Sequence, residues 1–178
     1  MAPSVRLEPL VPDHAEALFP GLQDPALYTF IPDAPPTSLE ALRARYTRLA
    51  TRGSPDGRQA WLNWALWSDP DAAYVGYVQA TVEGDTALVA YVLFRPYWRR
   101  GYARAAVAEM MRWLEAEHAV TRFEARVDPR NVASRALLEA LGFVCVAIHP
   151  EAECLRGEVV DECEYRREVC GGGVWCLG

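Results

Sequence analysis

An α/β fold built on one mixed, mostly antiparallel sheet of seven strands flanked by helices is predicted by three observations. Seven short runs read as strands and four segments as helices, in the order β-α-α-β-β-β-α-β-α-β-β. Only the strand before the longest helix and the strand after it are joined by a helical crossover, so one pair is parallel and the sheet is mixed. With 178 residues, 51% of them hydrophobic, the chain is long enough for one well-buried domain and short for two. That domain is expected over residues 1–169, and the glycine-rich tail over 170–178 is expected to be poorly ordered.

Residues 5–10 read as the first strand, and Pro12-Asp13 opens a short helix that runs to Phe19. Between Pro20 and Pro36, five prolines and a glycine interrupt the chain, but Leu27, Tyr28, Phe30 and Ile31 make it an apolar-studded loop and not a flexible linker. Thr37 or Ser38 caps a second helix, in which Leu39, Leu42, Tyr46 and Leu49 recur at helical spacing until the chain nears Gly53. Over residues 59–67, Trp61, Asn63, Ala65 and Trp67 share one face and Leu62, Trp64 and Leu66 the other. Large apolar groups on both faces predict an interior strand. Residues 74–83 and 86–94 flank Glu83-Gly84-Asp85, a tight-turn signal that makes them an antiparallel hairpin. The longest helix follows over about residues 103–117, with Val107, Met110, Met111, Leu114 and His118 as its inward stripe. A strand over 121–127 leads to Asn131, which caps a short helix ending at Gly142. Strands over 143–148 and 158–169 complete the sheet.

The stretch Tyr91-Val-Leu-Phe-Arg-Pro-Tyr-Trp-Arg-Arg-Gly-Tyr-Ala-Arg104 passes from an apolar strand through a basic turn into the longest helix. Unsatisfied N–H groups and the positive end of the helix dipole attract an anion at such a helix start. Arg95, Arg99, Arg100 and Arg104 surround this turn although the chain carries a net charge of -6. The local sign reversal predicts a phosphate-binding turn. The acidic balance argues against nucleic-acid binding, which rests on many distributed basic contacts, and tolerates cationic partners such as amines. The N-terminal residues carry charges and prolines where a secretion signal needs an apolar run, and no stretch approaches the roughly 20 apolar residues of a membrane span. A cytoplasmic protein with no membrane partner, monomeric or homodimeric, is therefore expected. Cys145, Cys154, Cys163, Cys170 and Cys176 include no pair at zinc-ligand spacing, so reduced thiols and no metal are expected.

Three motifs occur in order: Trp98-Arg-Arg-Gly-Tyr-Ala103, Asn131-Val-Ala-Ser-Arg-Ala-Leu-Leu-Glu-Ala-Leu-Gly-Phe143, and Ala152-Glu-Cys-Leu-Arg-Gly157. Together they resemble the GNAT family of acetyl-CoA-dependent N-acetyltransferases, and most nearly the subgroup that acetylates N-terminal amines of ribosomal proteins. The likeness spans roughly residues 5–169. It implies acetyl-CoA as cosubstrate and a central parallel pair of strands that splay apart. It places the coenzyme pyrophosphate on the backbone of Arg99, Arg100, Gly101, Tyr102, Ala103 and Arg104, and the pantetheine arm against the strand backbone at Leu93 and Phe94. N–H groups near Leu93 and Phe94 would polarise the acetyl carbonyl, and Asn131 joins the coenzyme-binding set. The chain departs from the family pattern at Trp98, where many members have Gln or Arg, and at Arg99, where Gly is frequent. Arg104-Ala105 replaces a common Thr-Glu pair. The arginine changes only add positive charge.

Two residues are candidates for the chemistry. Ser134 lies three residues before Leu137 and seven before Leu141, which points its hydroxyl inward with that apolar stripe. In the wider family a Tyr four residues further on protonates the departing thiolate; here that position is Leu138, and the resemblance to the ribosomal branch assigns the role to Ser134. The residues alone also allow Asn131 and Ser134 merely to cap the helix from both ends of its first turn. Glu153 matches the carboxylate proposed as general base in the same branch. Such a group is needed because the attacking amine is an ammonium at neutral pH, with a reference pKa of about 7.7 to 8.0 for an N-terminus and about 10.4 for lysine. The plain alternative is a solvated glutamate beside Glu151 and Glu158.

Tyr28 and Phe30, in the loop that flanks the acceptor entrance in relatives, are the candidates for substrate contact, the tryptophans being expected in the core. Asp161 is expected to order the last strand or to touch substrate. The implied reaction moves acetyl directly to a primary amine, on a protein N-terminus or a small molecule, in a ternary complex; no Cys nucleophile beside a His base supplies an acyl-enzyme route. The alternative is a non-catalytic acetyl-CoA-binding or CoA-binding sensor of the same fold, which would release no CoA thiol in the presence of an amine.

Overall fold

A computed structural model describes residues 4–169. The expected tail over 170–178, with Cys170 and Cys176, lies outside the described residues. The strands are β1 (Val5–Pro9), β2 (Ala60–Ser68), β3 (Ala73–Glu83), β4 (Thr86–Leu93), β5 (Arg122–Val127), β6 (Val144–Leu155) and β7 (Glu158–Glu168). The helices are α1 (His14–Leu18), α2 (Leu39–Leu49), α3 (Tyr102–His118) and α4 (Val132–Ala140). The strands form one seven-stranded sheet in the order β1-β2-β3-β4-β5-β7-β6. β4 and β5 pair in parallel and every other neighbouring pair is antiparallel, as the single helical crossover predicts.

Two elements differ from the sequence reading. The loop of prolines contains two 3-10 turns, Gly21–Gln23 and Pro25–Tyr28. β6 runs to Leu155 and not to Ile148, because after a register shift between His149 and Glu153 the chain pairs again with β7. Glu153 therefore sits in a strand.

The sheet separates two cores. On one face α1 and α2 pack Leu18, Leu42 and Tyr46 against Ala65 and Phe94, with Ser38 accepting the Ala41 N–H at 3.1 Å to start α2. On the other face α3 buries Val107, Met110, Met111 and Leu114 to 1% exposure or less. Each such side chain contributes about 1.5–3 kcal/mol. His118, expected in this stripe, is half-buried and sits beside the Trp113 ring at 5.2 Å. The inward stripe of α4 is centred on fully buried Leu138; Leu137 and Leu141, the residues expected inside, are half-buried.

The sheet opens at its centre. The parallel ladder joins only Thr86, Ala87 and Leu88 to Arg122, Phe123 and Glu124, although β4 continues to Leu93 and β5 to Val127. Asp85 pins the closed end: its C=O accepts the N–H groups of Thr121 (2.8 Å) and Arg122 (3.2 Å), and its carboxylate accepts the Thr121 hydroxyl (2.7 Å). At the open end, the β2–β3 register shifts at Leu66/Trp67, opposite Gly76. Gly76 has φ 151, and a Cβ there would lie 2.1 Å from the Val92 carbonyl oxygen. The bulge adds local twist and brings β3 hard against β4 where β4 leaves β5.

Substituting Gly76→Ala is expected to destabilise the fold by about 1–3 kcal/mol or more, because both the backbone angle and the neighbouring strand must change. Thermal melting checks this; a melting temperature within a degree of the parent contradicts it.

Candidate active site

The turn before α3 is shaped to hold an anion. Arg99 (φ 58) and Gly101 (φ 84) are left-handed and Arg100 between them is not. Such alternation turns successive N–H groups toward one point, forming an anion-binding nest. The N–H groups of residues 99–104 have no acceptor among the described residues, and the first bond into the helix runs from Ala105 N–H to Gly101 C=O at 3.1 Å. Gly101 adopts its angle freely, whereas a side-chain-bearing residue such as Arg99 does so at a cost of roughly 1–2 kcal/mol. This explains why glycine suits the Arg99 position.

The four arginines divide into two sets. Arg95, Arg99 and Arg104 are exposed and form no ion pair with a described residue. Arg100 instead pairs with Asp71 at 3.0 Å and lies over the rings of Tyr97 (5.5 Å) and Tyr102 (5.1 Å). The Tyr102 side chain is buried, and its hydroxyl contacts Asp71 and, at 3.1 Å, Ser68. Tyr102 therefore presents only its N–H to the turn, and Arg100 braces the turn from behind. The Tyr102 hydroxyl, then Ser68, and then Arg100 hold the Asp71 carboxyl below its ordinary pKa.

The gap between β4 and β5 is lined by backbone on its β4 side. Phe94 N–H donates to Val75 C=O at 2.9 Å, and the Phe94 C=O accepts from Tyr97 N–H at 2.9 Å. By antiparallel alternation, Tyr91 and Leu93 then turn their N–H and C=O groups toward β5. Leu93 C=O accepts the Trp98 indole N–H at 2.6 Å. The expectation that both Leu93 and Phe94 offer backbone to the gap is thus corrected: the Phe94 groups are committed, and Leu93 retains its N–H alone. The Phe94 ring is buried against Gly21, where a Cβ would meet it at 2.5 Å.

Ser134 faces this gap from α4. Asn131 caps the helix, its side-chain oxygen accepting Ser134 N–H at 3.1 Å. The serine hydroxyl does not return the cap, since Asn131 N–H donates to Asp128 C=O at 2.9 Å. It lies instead 2.6 Å from the Tyr91 hydroxyl. Burial pushes Tyr91 up to about 12. Tyr91 was not singled out from the sequence. The signals for it were its place two residues before Leu93 on the same strand face, and the lack of a hydroxyl at Leu138.

Glu153 stands on the opposite face of the sheet. It pairs with Val160, and alternation puts both on the face of Glu162 and Glu164, away from α3 and α4. Its carboxylate accepts Cys154 N–H at 3.1 Å. Asp161 accepts Glu151 N–H at 3.0 Å and so orders the irregular part of β6. Tyr28 is buried and donates its hydroxyl to Leu22 C=O at 2.8 Å. It lines a cavity of about 30 Å³ with Asp33, Arg45, Tyr46 and Tyr77, room for little more than a water molecule. Phe30 is half-buried. No hydrogen bond links Glu153, Asp161 or Tyr28 to Ser134 among the described residues. The described residues also contain no group of three or more His, Cys, Asp or Glu side chains that could hold a metal ion, and no helix long and apolar enough to cross a membrane.

A seven-stranded sheet opened at its one parallel pair, beside an anion-binding turn, is the framework of an acetyltransferase domain. The sequence matches the acetyltransferase (GNAT) domain over residues 4–144, and the chain belongs to that family, whose members use acetyl-CoA. It is similar to the uncharacterized N-acetyltransferase p20 of Bacillus licheniformis, with 29% identity over 99 residues. That match covers 54% of the chain and about half of the relative's length, 56%. Among solved structures, RimL, a ribosomal L7/L12 alpha-N-protein acetyltransferase in complex with coenzyme A, superposes with a TM-score of 0.83 at 20% identity, covering 93% of this chain and 94% of that one. The ribosomal-protein-S5-alanine acetyltransferase of Vibrio fischeri gives 0.80 at 20% identity, covering 93% and 92%. At this identity both share the fold.

The Asp71 network predicts an acid-dependent stability term. A carboxyl whose pKa is depressed by folding stabilises the native state above its unfolded value of about 3.9, and that contribution is lost as pH falls through the folded value. The melting-temperature difference between the parent and Asp71→Asn should therefore be largest near neutral pH and shrink below about pH 4. A difference that is constant across this range contradicts the assignment.

Proposed function

We propose that the protein is an acetyl-CoA-dependent N-acetyltransferase that moves acetyl directly to a primary amine in a ternary complex. One observation carries this reading: the β4–β5 gap opens beside the anion-binding nest, with the Ser134 hydroxyl on one sheet face and the Glu153 carboxylate on the other. The amine must add to a face of the thioester carbonyl while the thiolate departs along a different direction, and the gap is where the two faces of the sheet communicate. The N–H groups of residues 99–104 and the free guanidiniums of Arg95, Arg99 and Arg104 hold the pyrophosphate. Leu93 N–H, with Tyr91 N–H behind it, serves the pantetheine arm or the acetyl carbonyl. Ser134 faces the sulfur, Asn131 shapes the helix start beside it, and Glu153 takes the ammonium proton directly or through water. Phe30 is the aromatic candidate for acceptor contact; Tyr28 and Asp161 support it by ordering the loop and β6.

The acceptor most favoured is the N-terminal amine of an extended segment, as in the ribosomal-protein acetyltransferases with the same fold. What supports it is the face of β5, β7 and β6 that carries Glu153. There Arg126 pairs with Glu162 (2.8 Å), His149 with Glu164 (2.9 Å) and Arg166 with Glu124 (3.5 Å), a polar surface on the side of the sheet away from α3 and α4. A small amine is the competing acceptor, and an amine panel including short peptides decides between them by CoA release. Release with none of these acceptors would favour the sensor reading.

Acetyl-CoA at one hundred times its dissociation constant is expected to stabilise the fold by about 2.7 kcal/mol, a rise of several degrees in melting temperature. Gly101→Val should abolish the rise by blocking the approach of phosphate to backbone. Absence of any shift with saturating acetyl-CoA and CoA would sink the acetyltransferase reading. Glu153→Gln should lower turnover by about 100- to 10,000-fold near neutral pH, and less in alkaline solution where the amine deprotonates unaided. A variant within about twofold of the parent at neutral pH excludes Glu153 as the base.

A further inference from the structure

The hydroxyl pair formed by Tyr91 and Ser134 has a consequence for the leaving group, resting on the reading of the β4–β5 gap as the thioester site. Tyr91 lies on β4 beyond the last pair with β5, its side chain turned to the α3 and α4 face, and no hydroxyl comes from Leu138 on the neighbouring helix. The two hydroxyl oxygens are 2.6 Å apart, so one must donate to the other. The Tyr91 oxygen also lies 3.4 Å from the Ser134 carbonyl oxygen, so a phenolic hydrogen aimed at this residue finds two acceptors, whereas a serine hydrogen aimed back finds one. A phenol is also the stronger donor of the two. With Tyr91 donating, the serine oxygen is satisfied as an acceptor and its own hydrogen is free to point into the gap.

We propose that Tyr91 is a positioning residue for the leaving group: it donates to Ser134 Oγ and aims the serine hydrogen at the coenzyme sulfur, so that the pair stabilises the departing thiolate by hydrogen bonding without protonating it. The balance is as follows. The amine lone pair forms the N–C bond, the C–S bond breaks with its electron pair passing to sulfur, and the surplus ammonium proton leaves through Glu153 or water. Neither hydroxyl changes its protonation state. A thiolate whose conjugate thiol has a reference pKa of about 8.5 is a poor base toward a phenol held near 12 or an ordinary alcohol, so full transfer from either hydroxyl runs uphill. The shift of Tyr91 comes from burial, with no charged side chain acting on it. Ser134 thus acts as an oxyanion-type donor with sulfur in place of oxygen.

The test titrates the thiol of bound CoA, following thiolate ultraviolet absorbance with pH, in the parent and in Tyr91→Phe, Ser134→Ala, the double variant and Ser134→Thr. In the parent, the bound thiol should titrate about one unit or more below free CoA, the direction expected when hydrogen bonds favour the charged form. Tyr91→Phe and Ser134→Ala should each move it back up, the double variant no further than Ser134→Ala, and Ser134→Thr should keep the parent value because its hydroxyl survives. Turnover of Tyr91→Phe should fall about 100-fold with the KM for acetyl-CoA within about twofold. An unshifted bound thiol in the parent, or a Tyr91→Phe variant that binds CoA and titrates like the parent, overturns this inference while leaving the acetyltransferase reading intact. Failure of the parent to bind CoA at all overturns both.

Discussion

Every backbone N–H and C=O in a sheet interior must find a partner, and this sheet breaks that rule at its centre. β4 and β5 pair only as far as Leu88 and Glu124 and then part, leaving the β5-facing groups of Tyr91 and Leu93 without a strand partner. Much of the surrounding structure either enforces the opening or limits its cost. Asp85 clamps the closed end with three hydrogen bonds, so the strands diverge from a fixed point. Gly76 lets β3 press against β4 where a Cβ would collide with Val92 C=O. The Trp98 indole caps Leu93 C=O and leaves the N–H facing the gap. An exposed tryptophan with its ring nitrogen committed in this way is a structural residue despite its place in a basic loop.

The basic turn depends on the same opening, since it lies where β4 passes into α3. Two features that would favour an anion there are easily conflated. The left-handed angles at Arg99 and Gly101 aim consecutive N–H groups at one point, and this requires no side chain. The guanidiniums of Arg95, Arg99 and Arg104 add charge in a protein that is acidic overall. Arg100 belongs to neither, because Asp71 holds it and the Tyr97 and Tyr102 rings lie beneath it. Its contribution is rigidity: a nest held from behind meets its ligand with less ordering cost.

The two faces of the sheet acquire different chemistry from the same alternation of side chains. α4 and β4 bring hydroxyls together on one face, and β5, β6 and β7 present carboxylates paired with cations on the other. A low-dielectric wall with neutral donors suits a departing charge, and a polar open face suits an arriving ammonium.

The chain by itself determined whatever depends on neighbours in sequence. Strand and helix order follows from periodicity; the Glu83-Gly84-Asp85 hairpin, the Ser38 and Asn131 caps and the anion-binding character of residues 99–104 follow from contiguous residues. Its resemblance to a family was legible for the same reason. Tertiary structure decided what depends on distant partners. The phase of α4 differs from the sequence expectation because leucines at 137 and 138 and at the C-cap, 141, admit two inward stripes for a helix of nine residues, and only docking on the sheet selects Leu138. The extension of β6 to Leu155 needed the register shift against β7, and Phe94 lost its expected role because Val75 claims its N–H. The sequence also allows Ser134 to be half of a cap, a local interaction; its hydroxyl turns instead to Tyr91, which no local pattern connects to it. Local periodicity reports which way a side chain faces, but a hydrogen bond between a strand and a helix distant in sequence exists only once the sheet has brought the two together.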